Sequence, residues 1–207
     1  DSNGTTRFSS APEDGLPSWN SNGNTLAYAS NREGDRAYRV YVTGGRGNAL
    51  ELGRGEDPDW HPSQDQIVYR GCDDSGRRCG LWTMEATGAR KQPLTDDASD
   101  TRPKWSPDGR SVVFMSRNRD GNWEIYFTRI DENGRRIGAE RRITEAAGSS
   151  LAPALVWTGS GYGLAWRDNR DGNNEIYLQR LDGLGVPVGS EIRVTDDSGY
   201  SAGVSLA

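Results

Sequence analysis

The amino-acid sequence predicts an all-β fold. We expect a β-propeller of four-stranded antiparallel blades, with four complete repeats and partial blades at both ends. Two observations support this prediction. A tryptophan begins each of four similar units, at spacings of 41, 45 and 52 residues, and periods of about 40–45 residues are typical of propeller blades. The chain also has 27 glycines and 7 tryptophans among 207 residues, which favours short strands joined by tight turns. The repeated tryptophans are Trp19, Trp60, Trp105 and Trp157.

Turn chemistry divides each unit into four strands. A short first strand carries the tryptophan and ends in a turn such as Ser106–Gly109, where Pro at the second position and Gly at the fourth favour a type I turn. An apolar second strand follows, for example Val112–Met115. An Asp-Gly hairpin at Asp120-Gly121 leads into the third strand, Ile125–Phe127. A Gly-containing turn and a fourth strand ending at Ile143-Thr144 complete the unit.

The residues 1–207 therefore form a single propeller domain or a propeller fragment. The blades fall at approximately 16–52, 57–95, 102–144 and 153–195, with partial strands at 1–10 and 200–207. The first partial strand is similar to the fourth strand of a preceding blade, and the last is similar to the first strand of a following blade. Open strand edges promote aggregation and are normally covered. We therefore expect either the remainder of a longer propeller or a homo-oligomer that closes a ring between chains. A small ring closed by this chain alone is the third alternative.

The third unit carries a family resemblance. Its segment WSPDG at Trp105–Gly109, followed by SRNRDGNWEIY, resembles the WD-like repeat of TolB-like β-propellers, and all four units fit this pattern. The second unit departs at His61–Asp65, where HPSQD replaces SPDG. The resemblance implies the fold and leaves the function open. Similar blades occur in periplasmic TolB and in the gating domains of prolyl-oligopeptidase-like and tricorn-like proteases.

Charge and hydropathy argue against two kinds of partner. The net charge of −5 disfavours nucleic acid, because nucleic-acid binders usually carry a basic face. No apolar run approaches the roughly 18 residues that a membrane-spanning helix needs.

Two cysteines, Cys72 and Cys79, bracket DDSGRR between the second and third strands of the second unit. If Ser75-Gly76 forms the turn, the two cysteines face each other across the hairpin. We expect a disulfide, which implies an exported protein, periplasmic or extracellular. Free thiols or a metal-binding pair are the alternatives.

The sequence predicts no enzyme. Its one histidine, His61, aligns with Ser106 in the turn after the repeated tryptophan, so it is not available to a Ser–His–Asp triad or a histidine-rich zinc site. We therefore expect no catalytic residues and no cofactor. A weak calcium candidate is the segment with Asp168, Asp171 and Asn173, which also fits an ordinary Asp-Gly hairpin.

The loops between successive blades are acidic and share one face of any propeller. This acidic inter-blade loop face is the candidate binding surface, for a cationic partner or a divalent ion. Ordinary solvated loops are the alternative. Trp123, beside a hairpin tip, is the candidate exposed aromatic contact, whereas we expect the four repeated tryptophans to pack between blades. The acidic residues are Glu56, Asp57, Asp96, Asp97, Asp100, Asp196 and Asp197.

These observations favour a non-catalytic binding or scaffold module that presents its inter-blade loops to a protein or glycan partner, because propellers carry function in loops on a rigid ring. The alternative is an accessory or substrate-gating propeller of a larger enzyme, a peptidase or a lyase.

Overall fold

A computed structural model describes residues 14–44, 48–117, 119, 121–196, 198–201 and 203–206. The described chain forms four antiparallel sheets of four strands each, in sequence order, so each sheet is one blade. Blade 1 comprises β1 (Asp14–Trp19), β2 (Leu26–Ser30), β3 (Arg39–Thr43) and β4 (Leu50–Arg54). Blade 2 comprises β5 (Glu56–Trp60), β6 (Gln66–Cys72), β7 (Cys79–Glu85) and β8 (Gln92–Pro93). Blade 3 comprises β9 (Thr101–Trp105), β10 (Ser111–Ser116), β11 (Glu124–Ile130) and β12 (Arg136–Arg142). Blade 4 comprises β13 (Ser150–Trp157), β14 (Gly161–Asp168), β15 (Glu175–Asp182) and β16 (Pro187–Arg193).

The all-β prediction is confirmed, and no helix that could cross a bilayer occurs in the described part of the chain. The expected partial strand at 1–10 lies outside the described residues. Within 200–207 the described residues are not in a strand.

Blades 2, 3 and 4 each pack on the preceding blade through the tryptophan of their first strand. Trp60 is 6% exposed and lies in a core with Ala27 and Val40 of blade 1. Trp105 lies in a core with residues of blade 2, and Trp157 packs at the edge of the core between blades 3 and 4. The expected inter-blade packing is thus confirmed for these three. It is wrong for Trp19, which is 49% exposed, because Trp19 belongs to the first described blade.

Strand direction sorts the connections into two faces. The first strand of each blade starts on the face where the previous blade ends, so the inter-blade loops and the β2–β3-type hairpins share one face, here the loop face. The β1–β2-type and β3–β4-type turns share the opposite face, here the turn face.

The hairpins on the loop face are fastened in two ways. In blades 1, 3 and 4 an arginine guanidinium lies over the aromatic ring of the third strand: Arg32 is 4.1 Å from Tyr41, and Arg170 is 4.3 Å from Tyr177. Arg119 is 4.5 Å from Tyr126 in the same arrangement. Such cation–π contacts stabilise by about 0.5–2 kcal/mol each.

Blade 2 has a disulfide in place of an arginine. Cys72 and Cys79 are bonded and are directly paired across the hairpin of β6 and β7. The predicted disulfide and the pairing of Cys72 opposite Cys79 are therefore confirmed. The hydrogen-bonded turn lies one residue earlier than expected, with Asp74 and Ser75 at its corners and the Gly76 N–H donating to the Asp73 carbonyl.

Candidate binding site at the propeller axis

The first strand of every blade contains a β-bulge at the residue before a proline. These residues have positive φ angles: 53° at Leu16, 51° at Asp57, 50° at Arg102 and 53° at Ala152. Each lies where the pairing with the second strand shifts register. A left-handed conformation costs an L-residue roughly 1–2 kcal/mol, so the chain holds four strained positions in equivalent places.

The four bulges surround one pocket on the axis. The pocket has a volume of about 280 Å³ and receives residues from all four first strands. Gly203 has a φ of 83°, and Val204 after it also lines the pocket, so the segment after blade 4 continues the same pattern. The lining residues are Leu16, Pro17, Asp57, Pro58, Arg102, Pro103, Lys104, Ala152, Pro153 and Val204.

Hydrogen bonds fix the first strands of neighbouring blades relative to one another. The carboxylate of Asp57 accepts bonds from the hydroxyl of Thr101 and from the backbone N–H of Arg102 at 2.9 Å. In the same way Asp59 accepts the backbone N–H of Trp105 at 2.8 Å. The Asp57 side chain is therefore a structural link between blades, and this accounts for its 9% exposure.

Asp59 also pairs with a lysine. Lys104 Nζ lies 2.6 Å from Asp59 Oδ1. Burial raises the pKa of the Asp59 carboxyl, while Lys104 and the Trp105 N–H favour its charged form. Asp59 and Lys104 therefore form an ion pair, because the charged Asp59 carboxylate accepts hydrogen bonds from both Lys104 and the Trp105 N–H.

Three of the four bulge side chains remain open to a ligand. Leu16, Arg102 and Ala152 are exposed, and the Arg102 guanidinium has no hydrogen bond or ion pair with any residue that the structure describes. The backbone at this position is the same in each blade, whereas the side chain is aliphatic, acidic, basic or small. Such a combination of constant backbone and variable side chain is suited to selective binding.

The predicted acidic face is largely paired with arginine. Glu56 lies 3.3 Å from Arg70 and Asp196 lies 2.7 Å from Arg193. Asp96 pairs with Arg78, whose hydrogen bond lowers the pKa of that carboxyl. These pairs belong to different inter-blade loops, and in each of them an arginine offsets the carboxylate charge. Asp197 lies outside the described residues.

Asp97 and Asp100 surround one arginine. Arg119 Nη2 lies 2.8 Å from Asp100, Arg119 Nε lies 3.9 Å from Asp97, and Arg119 also pairs with Glu140. Asp100 is fully buried, and burial raises its pKa to about 6 despite hydrogen bonds from Ser116 and Thr95 and the charge of Arg119.

The three calcium candidates each form hydrogen bonds within the protein. Asp168 is fully buried and accepts bonds from Ser150, Trp166 and Arg170. Asp171 accepts the hydroxyl of Tyr177, and Asn173 donates to Glu175 and to the Gly199 carbonyl. Within the described ranges, no group of three or more His, Cys, Asp or Glu side chains is arranged to hold a metal.

Trp123 is half-buried, so its side chain offers less exposed surface to a partner than the sequence predicted.

His61 lies at its turn, as expected. It is buried there, and both ring nitrogens are hydrogen-bonded. Its Nδ1 accepts the N–H groups of Ser63 and Gln64 at 3.1 and 3.0 Å, and its Nε2 donates to the Gly109 carbonyl at 3.1 Å. Burial lowers the pKa of His61, which keeps the ring neutral.

No signal in the sequence predicts the bulges, although a proline marks their place. In three of the four units a proline precedes the repeated tryptophan by two residues, as in Pro58 and Trp60. A residue before proline is normally extended, so the pattern alone predicts a straight strand there.

Comparison with known proteins supports the fold. No family model and no curated protein matches the sequence. Among solved structures, the chain superposes on a TolB-type protein from Agrobacterium tumefaciens with a TM-score of 0.66 and 22% identity, covering 91% of this chain. It superposes on TolB from Acinetobacter baumannii with a TM-score of 0.67 and 18% identity over 92% of this chain. A prolyl endopeptidase matches with a TM-score of 0.64 and 18% identity over 94% of this chain.

The chain spans 64% of the Agrobacterium protein, 45% of the Acinetobacter protein and 30% of the endopeptidase, less than two thirds of each. Identities at this level report on the fold. Four radial four-stranded sheets, matched at these scores, show that the chain has the TolB-like β-propeller fold.

Proposed function

We propose that this chain is a non-catalytic binding module that holds a protein partner over the axial pocket and the surrounding loop face. The observation that carries the proposal is the set of four bulges, which repeat one strained backbone geometry and vary the side chain. Strained residues of this kind cluster at binding and active sites. The protein or glycan partner expected from the sequence would meet the pocket from the loop face.

Rigidity supports this role. The bulges sit on first strands that are linked by Asp57 and Asp59, and the hairpins above them are held by Arg32, Arg119 and Arg170 or by the disulfide. A preformed surface loses little conformational entropy on binding.

His61 also supports a binding role. Both of its ring nitrogens are hydrogen-bonded within a turn, which favours binding over the chemistry of a Ser–His–Asp triad.

Export is part of the proposal. The disulfide fits an exported protein. We place the chain in the periplasm or outside the cell, where its partner would also lie.

A second candidate function is a propeller attached to a peptidase. The likeness to a prolyl endopeptidase favours it, since this chain would correspond to 30% of that protein. On this alternative, the axial pocket would face a catalytic domain instead of a separate partner.

Site-specific photo-crosslinking tests the proposal. The photoreactive residue p-benzoylphenylalanine replaces Ala152, an exposed bulge position, in the cells that make the protein. The matched control carries it at Asn22, exposed on the turn face. We expect one discrete adduct from position 152 and none from position 22. Equal adducts from both positions, or none from either, would contradict the proposal, and an adduct within the same polypeptide would favour the peptidase alternative.

A further inference from the structure

A second cavity, of about 690 Å³, lies between blades 1 and 2, away from the axial pocket. Its walls come from the β2–β3 loop and the end of β4 in blade 1, and from the disulfide-bonded hairpin of blade 2. Tyr69 lines the cavity as well. No residue that lines the axial pocket lines this cavity.

Tyr69 is held in place by two glycines. A Cβ atom at Gly55 would lie 2.5 Å from Tyr69 Cδ2, and one at Gly71 would lie 2.7 Å from Tyr69 Cε2. Only glycine allows the backbone to approach the ring this closely. The tyrosine is 2% exposed.

The Tyr69 hydroxyl has no hydrogen-bond partner among the described residues and is not fully buried, so a ligand can reach it from the cavity. Blade 1 shows what is missing. Tyr28, in the corresponding cross-strand position, accepts a bond from Arg32 Nη2 at 2.6 Å. Blade 2 has Asp73 and Asp74 in that part of its hairpin instead of an arginine. Burial, followed by the charge of Asp74, raises the pKa of Tyr69, so its hydroxyl stays protonated and can donate.

Two cations in this cavity are also without partners. Arg36 and Lys91 form no ion pair or side-chain hydrogen bond with any residue described. Lys91, in the turn before β8, extends its side chain to the end of β4 in blade 1. A Cβ atom at Gly53 would lie 2.5 Å from Lys91 Nζ. Arg54 adds a third positive charge, with its nearest carboxylate, Asp35, at 3.7 Å.

The acids in the cavity are mostly engaged. Glu56 pairs with Arg70 at 3.3 Å. Asp73 accepts the N–H of Arg77 and the hydroxyl of Ser75 inside its own turn. Asp74 is the remaining uncommitted acid of the lining. Unpaired positive charge therefore exceeds unpaired negative charge.

We propose that this cavity is a binding site for a small oxyanion, a carboxylate or phosphate group, held by Arg36 and Lys91 and hydrogen-bonded by the Tyr69 hydroxyl. A cation pair and a neutral donor are the groups that recognise such anions. The site is independent of the partner proposed for the axis.

Lysine footprinting tests it, because the chain has only two lysines, Lys91 and Lys104. Lys104 is paired with Asp59 and serves as the internal control. The intact chain is acetylated in about 10 mM inorganic phosphate, succinate or chloride at one ionic strength, a range suited to millimolar affinity. Mass spectrometry gives the rate at each lysine. At twice the dissociation constant the rate at Lys91 falls about threefold by mass action.

Phosphate and succinate are compared to decide which oxyanion the site takes. We expect at least one of them to slow Lys91 and neither to slow Lys104. Tyr69→Phe and Arg36→Gln should weaken the protection, and Asp74→Asn should strengthen it. A similar rate at Lys91 in phosphate, succinate and chloride, or equal slowing at both lysines, would overturn the proposal. So would protection that Tyr69→Phe and Arg36→Gln leave unchanged.

Discussion

The His61 ring lies directly against Gly109 of the next blade, where a Cβ atom would approach Cε1 and Nε2 to 2.4 Å. The same ring donates to the Gly109 carbonyl and meets Trp105 edge-on, with ring centroids 4.6 Å apart. The turns of blades 2 and 3 are thus joined on the turn face through a glycine that cannot carry a side chain.

Gly109→Ala should therefore destabilise the protein by about 2–3 kcal/mol, because a clash with a buried ring adds to the cost of a positive φ. The φ at Gly109 is 70°. Gly23→Ala is the matched control: it has a φ of 69° in the equivalent turn and no atom within 4 Å of its Cβ position. That control should lose only about 1 kcal/mol. Urea denaturation measures both, and equal losses would show that the contact with His61 does not matter.

Removal of the disulfide should lower stability without changing the fold. The loop closed by Cys72 and Cys79 has a sequence separation of 7, for which loop-closure entropy gives about 2–2.5 kcal/mol. We expect the Cys72→Ser, Cys79→Ser double variant to lose this amount in denaturant unfolding, and the wild type in reductant to match it. An unchanged midpoint for the double variant would contradict the account.

The buried Asp100 predicts a pH dependence. Burial raises the pKa of the Asp100 carboxyl in the folded protein to about 6, above its ordinary value of 3.8. A raised acid pKa means that the folded state binds the proton more tightly, so its contribution to stability is full below about pH 4 and is lost as pH rises through 6. The difference of about 2 units corresponds to roughly 3 kcal/mol.

Asp100→Asn removes this titration. The stability of the variant relative to wild type should therefore rise by about 2–3 kcal/mol between pH 4 and pH 7. Chemical denaturation across this range gives the curves of the variant and the wild type, and a constant difference for Asp100→Asn would refute the prediction.

Much of the fold is readable from the sequence because its signals are local. The spacing of Trp60 and Trp105 gives the repeat, and the symmetric bracket of Cys72 and Cys79 gives the disulfide register. The site is less readable. Whether Asp100 forms an open acidic surface depends on Arg119, 19 residues along the chain, which reaches it across the hairpin. The conformation of Arg102 runs against the usual preference of a residue before proline, and tertiary packing around the axis decides it.

The central claim is that the bulge side chains bind, and replacing two of them with glycine tests it most directly. Glycine accepts a positive φ without strain, as Gly203 does in the same pattern. Leu16→Gly with Arg102→Gly should therefore change the free energy of unfolding by no more than about 1 kcal/mol, as relief of strain offsets added chain entropy. The decisive readout is the yield of crosslinked partner from a photoreactive residue at position 152 in this background. The account predicts that the yield falls severalfold while stability is retained. An unchanged yield in a folded variant would contradict it, and would mean that the bulges serve the propeller alone.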